Sequence, residues 1–299
     1  MWLRRLRSAA PGKRENGVKP TFLLGVGAQK AGTSFLFDAL RRSPGIRLPH
    51  RKEMHVFDSH FIPELCRDHV EIRRRLCEEV DRTTPGRGRE ARDLARRMRH
   101  ALMLYDLDEY VSYFRELAEK TGCTGEITPG YSMLETRHLH EIRELLEPHF
   151  ELRVIFLMRD PIDRIYSALR MHDKIAGVKK APAHERFRAE YHSEGQRRRS
   201  MYEKILPRLE KVFGKERVFV EFYENLFLHD TFQRLEGFLG IAIPGPDMGK
   251  KVNASPKREE LLPEAVSEAR AYYAATYDFC RSRFPEYDLE GLWPYMRVS

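Results

Sequence analysis

The chain has 299 residues, of which 41% are apolar, with aromatics spread along its length, and this composition excludes an intrinsically disordered chain. Lysine and arginine number 53 against 45 aspartates and glutamates, a net charge of +8, which fits either a plainly basic surface or an anionic ligand. No run approaches the roughly 18 uncharged apolar residues of a membrane span, and four scattered cysteines without C-x-x-C spacing read as reduced, mostly buried thiols rather than zinc ligands.

Residues 1–19 are basic without an apolar stretch, so they read as a loose tail rather than a secretory signal, ahead of a single domain over 20–299. "TFLLGVG" predicts a short buried strand ending in a glycine turn. "GTSFLFDALRRSPG" predicts a helix, with Phe35, Leu36, Ala39 and Leu40 at helical spacing and Pro44-Gly45 as its stop. The short run "IRLP" predicts a strand that returns the chain toward the glycine turn. Residues 64–120 read as charged helices broken at "TTPGRGRE". Their many arginines are interleaved with Glu and Asp at i,i+4 distances, the pattern of solvated helix faces.

"GCTGEITPGYSML" predicts a strand and a turn, and "ETRHLHEIRELLEPHF" an amphipathic helix. "ELRVIFLMRDP" is the most strand-like run, continuous in apolar character as in a buried parallel strand. Asp160 then caps a helix with Pro161 in its first turn. "ERVFVEFYENL" reads as a further strand and "TFQRLEGFLGI" as a helix closing on Gly240. Strands alternate with helices, so the expected fold is α/β: three layers, a mostly parallel central sheet and helices on both faces.

Three segments carry the chemistry. In "GVGAQKAGTS", residues 25–34, the spacing from Gly27 to Gly32 is that of a phosphate-binding loop, but a nucleotide triphosphatase would follow it with Lys and Ser or Thr. Here Thr33 and Ser34 follow, and the lysine, Lys30, lies inside the loop. The loop joins a strand to a helix N-terminus, where backbone N–H groups face a bound anion. Next, "RKEMHVFD" places Lys52, Glu53 and His55 after the first helix, with Glu53 and His55 two apart and so on one side of an extended stretch. Finally, Arg159 ends a buried strand, where ligands of open α/β sheets bind, and Ser167 lies two helical turns on.

In this order the segments resemble the sulfotransferases that use 3′-phosphoadenosine 5′-phosphosulfate (PAPS), above all the carbohydrate type, including heparan sulfate sulfotransferases. The family's G-x-x-K-x-G-T-[ST] loop corresponds to 25–34, its K-E-x-H-x-F-D stretch to "KEMHVFD", and its R-D-P-x-x-R-x-x-S segment to "RDPIDRIYS". Its K-[ST]-P-x-Y element appears as "ITPGY", with Ile127 where the family has lysine. "NASPKRE" is similar to its basic loop over the nucleotide, with Lys257 or Arg258 in that role.

The resemblance implies a P-loop-like fold and sulfuryl transfer to an acceptor hydroxyl or amine on a carbohydrate. It implies PAPS as donor and no metal; the residues themselves, with no aromatic-basic motif, helix-turn-helix pattern or long apolar run, lead one to expect no nucleic-acid partner and no membrane span. Lys30, Gly32, Thr33 and Ser34 would hold the 5′-phosphosulfate, and Arg159 and Ser167 the 3′-phosphate. Lys30 would stabilise the leaving group and Lys52 the sulfuryl oxygens. Glu53 is the expected general base, with His55 as the alternative. A nucleotide kinase or triphosphatase is the rival reading. A cytoplasmic enzyme is expected, with a clipped lumenal domain as the alternative.

Overall fold

A computed structural model of the chain describes residues 18–66, 68–82, 88–176, 181–245 and 259–297. Four strands form one parallel sheet: β1 (Thr21–Gly27), β2 (Cys123–Ile127), β3 (Glu151–Met158) and β4 (Val218–Phe222), in the order β2-β1-β3-β4. Phe22, Leu23, Leu24 and Val26 of β1 and Val154 to Met158 of β3 are fully buried or nearly so. Covered on both faces, these central strands are apolar without alternation, as the sequence predicts. Each such side chain contributes about 1.5–3 kcal/mol of burial.

Between β1 and β2 lie α1 (Thr33–Arg42), α2 (Val56–Phe61), α3 (Asp68–Arg82), α4 (Arg89–Met103) and α5 (Leu107–Glu119). Then α6 (Thr136–Leu146) leads into β3. Between β3 and β4 come α7 (Pro161–Ala176), α8 (Ala183–Glu190), α9 (Glu194–Ser200) and α10 (Tyr202–Phe213). After β4 come α11 (His229–Leu239), α12 (Pro263–Tyr272), α13 (Ala274–Arg283) and α14 (Leu289–Leu292). α5 packs on β2, α10 on β3 and β4, and α11 on β4. Among the described residues no helix is long and apolar enough to cross a membrane. All four cysteines are free, and Cys66, Cys123 and Cys280 are buried while Cys77 is exposed.

Two predicted strands depart from expectation. "IRLP" is not a strand: Arg47 makes a single parallel bridge to Thr124, with Arg47 N–H donating to Cys123 O at 3.0 Å. β4 stops at Phe222, because Tyr223–Phe227 turns as a 3-10 helix. The start of α7 is as predicted. Asp160 Oδ1 accepts from the N–H groups of Ile162 (2.9 Å) and Asp163 (3.4 Å). The same carboxylate also anchors the C-terminal segment, accepting from Tyr277 Oη (2.9 Å) and Tyr295 N (2.9 Å). Trp293, fully buried, packs there against Tyr202, Phe222 and Tyr277.

Candidate active site

The strand order fixes where a ligand can sit. From β1 the chain crosses to β2 on one side, and from β3 to β4 on the other. The loops leaving β1 and β3 therefore part at the carboxyl ends of two neighbouring strands, which opens the crevice typical of a topological switch point. The loop with Lys30 and the corner with Arg159 both lie there. They touch: Arg159 Nη1 donates to Lys30 O at 2.9 Å.

Gly32 is the N-cap of α1, left-handed at φ 84°, and a Cβ there would meet Leu226 Cδ2 at 2.5 Å and Tyr223 Cδ2 at 3.1 Å. Only glycine closes that turn. The first turn of α1 has no side-chain cap and no acidic residue, so its N–H groups are left to an anion. Thr33 is buried and Ser34 half-buried at this end. Lys30 Nζ lies 3.6 Å from Met171 Sδ on α7. Burial first, then the Arg159 and Arg170 guanidiniums, lower the Lys30 ammonium below the ordinary lysine value, while Glu53 pulls the other way. Positive charge is thus crowded where an anion would relieve it, and the residues present fit a phosphosulfate donor.

Arg159 is held on three sides. Its Nε donates to Asp163 Oδ2 at 3.0 Å and its Nη2 pairs with the same oxygen. Its guanidinium lies 4.4 Å from the centroid of the Tyr223 ring. Ser167, on α7 with Asp163, is buried. Lys257 and Arg258 fall outside the described residues.

The "KEMHVFD" stretch is not extended. Glu53 and His55 both lie in the left-handed region, at φ 66° and 53°. This tight turn, rather than strand periodicity, brings their side chains together, with His55 Nε2 3.3 Å from Glu53 Oε2. Lys52 Nζ pairs with Glu53 Oε1, and His55 Nδ1 lies 2.8 Å from the fully buried Asp58 carboxylate. Burial alone would raise the Glu53 carboxyl, but the hydrogen bond to His55 and the Lys52 charge bring it down to about 2. Burial alone would lower the His55 imidazole, but bonds to Asp58, Cys66 and Glu53 raise it well above its ordinary value. The protonated imidazole is therefore the favoured form, with a carboxylate on either side of the ring. The donor atoms of His55, Asp58 and Cys66 lie within 4.8 Å of one another, and hydrogen bonding accounts for that grouping.

The turn rests on a buried platform at the end of β2. Glu126, 1% exposed, accepts from Tyr110 Oη (2.6 Å), Tyr131 Oη (2.9 Å) and Thr128 Oγ1 (2.5 Å). Thr128 Oγ1 accepts from Met54 N at 2.9 Å, and Tyr131 Oη from Val56 N at 3.2 Å. Ile127 is buried against Gly25, where any Cβ would stand 2.7 Å from its Cγ1. This explains an apolar residue at the position where the resemblance leads one to expect lysine. Sequence reasoning missed Asp58, Glu126, Arg170 and Tyr223. Tyr223 was within reach of the rule that picked Arg159, since both follow directly on the carboxyl end of a strand. Glu126 acts through contacts across the fold, which spacing does not encode, whereas Asp58 stands three residues from His55 in the same motif and was within reach of its spacing.

A sulfotransferase from Alicyclobacillus acidocaldarius shares this fold, with a TM-score of 0.60 at 23% sequence identity over 94% of this chain and 100% of that one. Mouse sulfotransferase SULT7A1, complexed with PAP, gives a TM-score of 0.45 at 14% identity over 93% and 87% of the two chains. Comparison with curated proteins gave no match. The sequence profile of the sulfotransferase family matches residues 20–245, most of the chain. The chain belongs to the sulfotransferase family and is a PAPS-dependent sulfotransferase with the family's P-loop-like α/β fold.

Proposed function

We propose that the protein transfers a sulfuryl group from PAPS to a hydroxyl or amine of a carbohydrate, in line and without a metal, with Glu53 as general base. One observation carries the assignment of residues. Lys30, Glu53 and His55 are the non-glycine residues at positive φ among the described residues. Such backbone costs about 1–3 kcal/mol per residue and persists where the surrounding fold enforces it, commonly at functional sites. The three were singled out from sequence motifs alone, and Glu53 and Lys30 feel each other's charge.

Each residue then has a role. The α1 N-terminus with Gly32, Thr33 and Ser34 would bind the 5′-phosphate, and Arg159 with Ser167 the 3′-phosphate. PAPS supplies the sulfuryl group, and its leaving oxygen gains negative charge that Lys30 is placed to offset. Glu53 takes the acceptor's proton. His55, whose protonated form Asp58 favours, sits beside Glu53 and keeps that carboxylate ionised and oriented. Lys52 steadies the sulfuryl oxygens. Lys257 and Arg258 would cover the nucleotide. The carbohydrate acceptor rests on the resemblance of the motifs, taken together, to the carbohydrate type of the family. The test is transfer of radiolabelled sulfuryl from PAPS across a panel of oligosaccharides, phenols, sterols and peptides, with the product identified by mass. Labelling of phenols or sterols and of no sugar would refute the carbohydrate acceptor.

A further inference from the structure

The arginine-rich segment before residue 100 reads as solvated helix faces, yet α4 carries one buried side chain to the catalytic turn. His100, 3% exposed, places Nε2 2.7 Å from Met54 O. A carbonyl only accepts, so Nε2 carries the proton. Burial, with Arg51 and His50 nearby, lowers the His100 imidazole to about 4 against the pull of that hydrogen bond, so the ring is a neutral donor. Met54 stands between Glu53 and His55, and its own N–H is tied to Thr128. Both polar backbone groups of Met54 are therefore held, one from the end of β2 and one from α4. Rotation of the peptide unit joining Met54 to His55 would turn the Met54 carbonyl away and carry His55 out of its left-handed conformation. The bond from His100 opposes that rotation from the carbonyl side.

We propose that His100 is a positioning residue for sulfuryl transfer: its bond to the Met54 carbonyl locks the turn that sets Glu53 and His55 side by side. This rests on the reading of Glu53 as base. It gives α4 a part in the reaction although His100 lies outside every motif of the family resemblance.

The test compares His100→Ala, His100→Leu and His100→Gln with Glu53→Gln in the full chain. Turnover is read as release of 3′-phosphoadenosine 5′-phosphate (PAP) from PAPS with water as acceptor, and PAP affinity by calorimetry. Gln can set its amide N–H₂ where Nε2 stands and restore the bond, whereas Leu fills the space without a donor. The Ala and Leu variants are expected to slow turnover roughly 10- to 100-fold, the cost of a misplaced catalytic group, with PAP affinity unchanged and Gln recovering most of the rate. Full turnover in His100→Ala beside a dead Glu53→Gln overturns the positioning role and leaves the base in place. Equal loss of turnover and PAP affinity in all three variants, Gln included, reduces His100 to packing and also overturns it. Full turnover in Glu53→Gln removes the base reading itself, and this proposal with it.

Discussion

Arg159 Nη1 donates to the carbonyl oxygen of Lys30 at 2.9 Å, joining the corner after β3 to the loop after β1. Residues 129 positions apart thus form one wall of the crevice. Arg159 also pairs with Asp163 and lies over Tyr223, so its guanidinium is oriented before any ligand contact. Arg159→Ala should weaken PAPS far more than adenosine 5′-phosphosulfate, which lacks the 3′-phosphate. The loss expected for a charge-assisted contact is about 1.5–3 kcal/mol. Competition calorimetry with both nucleotides checks it, and equal losses would show that Arg159 does not read the 3′-phosphate.

PAP should bind one-to-one in the presence of EDTA. The loop has no Lys-Ser or Lys-Thr pair after Gly32, and the charges crowding the site are Lys30, Arg159 and Arg170. A kinase would instead lose nucleotide with its Mg²⁺ and prefer ATP. Binding that vanishes with EDTA would favour that rival.

Glu53→Gln keeps the shape of the side chain and cannot take a proton. PAP affinity should stay near wild type while turnover falls roughly 10²-fold or more, the usual scale of general-base assistance. Lys30→Ala should lower both, because the same amine would meet the ground-state anion and the leaving oxygen. Steady-state rates beside calorimetric affinities separate the two patterns. A His55→Ala enzyme that is dead while Glu53→Gln works would reverse the assignment of the base.

Asp160 invites a stability measurement. Burial raises its carboxyl to about 6, against the bonds from Tyr295 and Tyr277, from an ordinary 3.8. The protonated form is thus favoured in the folded chain. The stability this contributes is complete below pH 3.8 and lost as pH rises through about 6. Relative to Asp160→Asn, which does not titrate, wild type should lose on the order of 3 kcal/mol across that window. Urea unfolding at pH 4 and pH 7 would show it. A constant difference would mean that the four donors on the carboxylate at least offset its burial.

The sheet was legible because its central strands are buried on both faces and spell continuous apolar runs, as "VIFLM" in β3 does. The glycine loop and Arg159 were legible because strand ends have fixed chemistry at a switch point. The turn at Glu53 and His55 was not, since period-two reasoning assumes extended backbone, and here hydrogen bonds to Thr128 and Tyr131 and from His100 hold left-handed geometry instead. Those partners come from the turn after β2 and from α4, so the local sequence of "KEMHVFD" holds no trace of them. "IRLP" failed as a strand because its one bridge to Thr124 is all that β2 offers it.

The charges around His55 make a last prediction with a definite sign. Glu53 sits at about 2, below an ordinary 4.5, because the bond from His55 and the charge of Lys52 outweigh its burial. A base works above its pKa, so wild-type turnover should show no acid limb from Glu53 anywhere the fold survives. His55, raised well above its usual value, keeps its proton to higher pH than an ordinary imidazole, and turnover should decline where that proton is lost, because the ion pair that orients the already ionised Glu53 goes with it. In His55→Ala that charge is missing at every pH. Burial then acts on Glu53 with only the lysine charges of Lys52 and Lys30 opposing it, so the carboxyl climbs and an acid limb moves toward the measurable range as the alkaline limb vanishes. PAP-release rates from pH 4 to 10 on both proteins decide the matter. An alkaline limb that persists in His55→Ala, with no acid limb appearing, would show that His55 does not control the ionisation of Glu53.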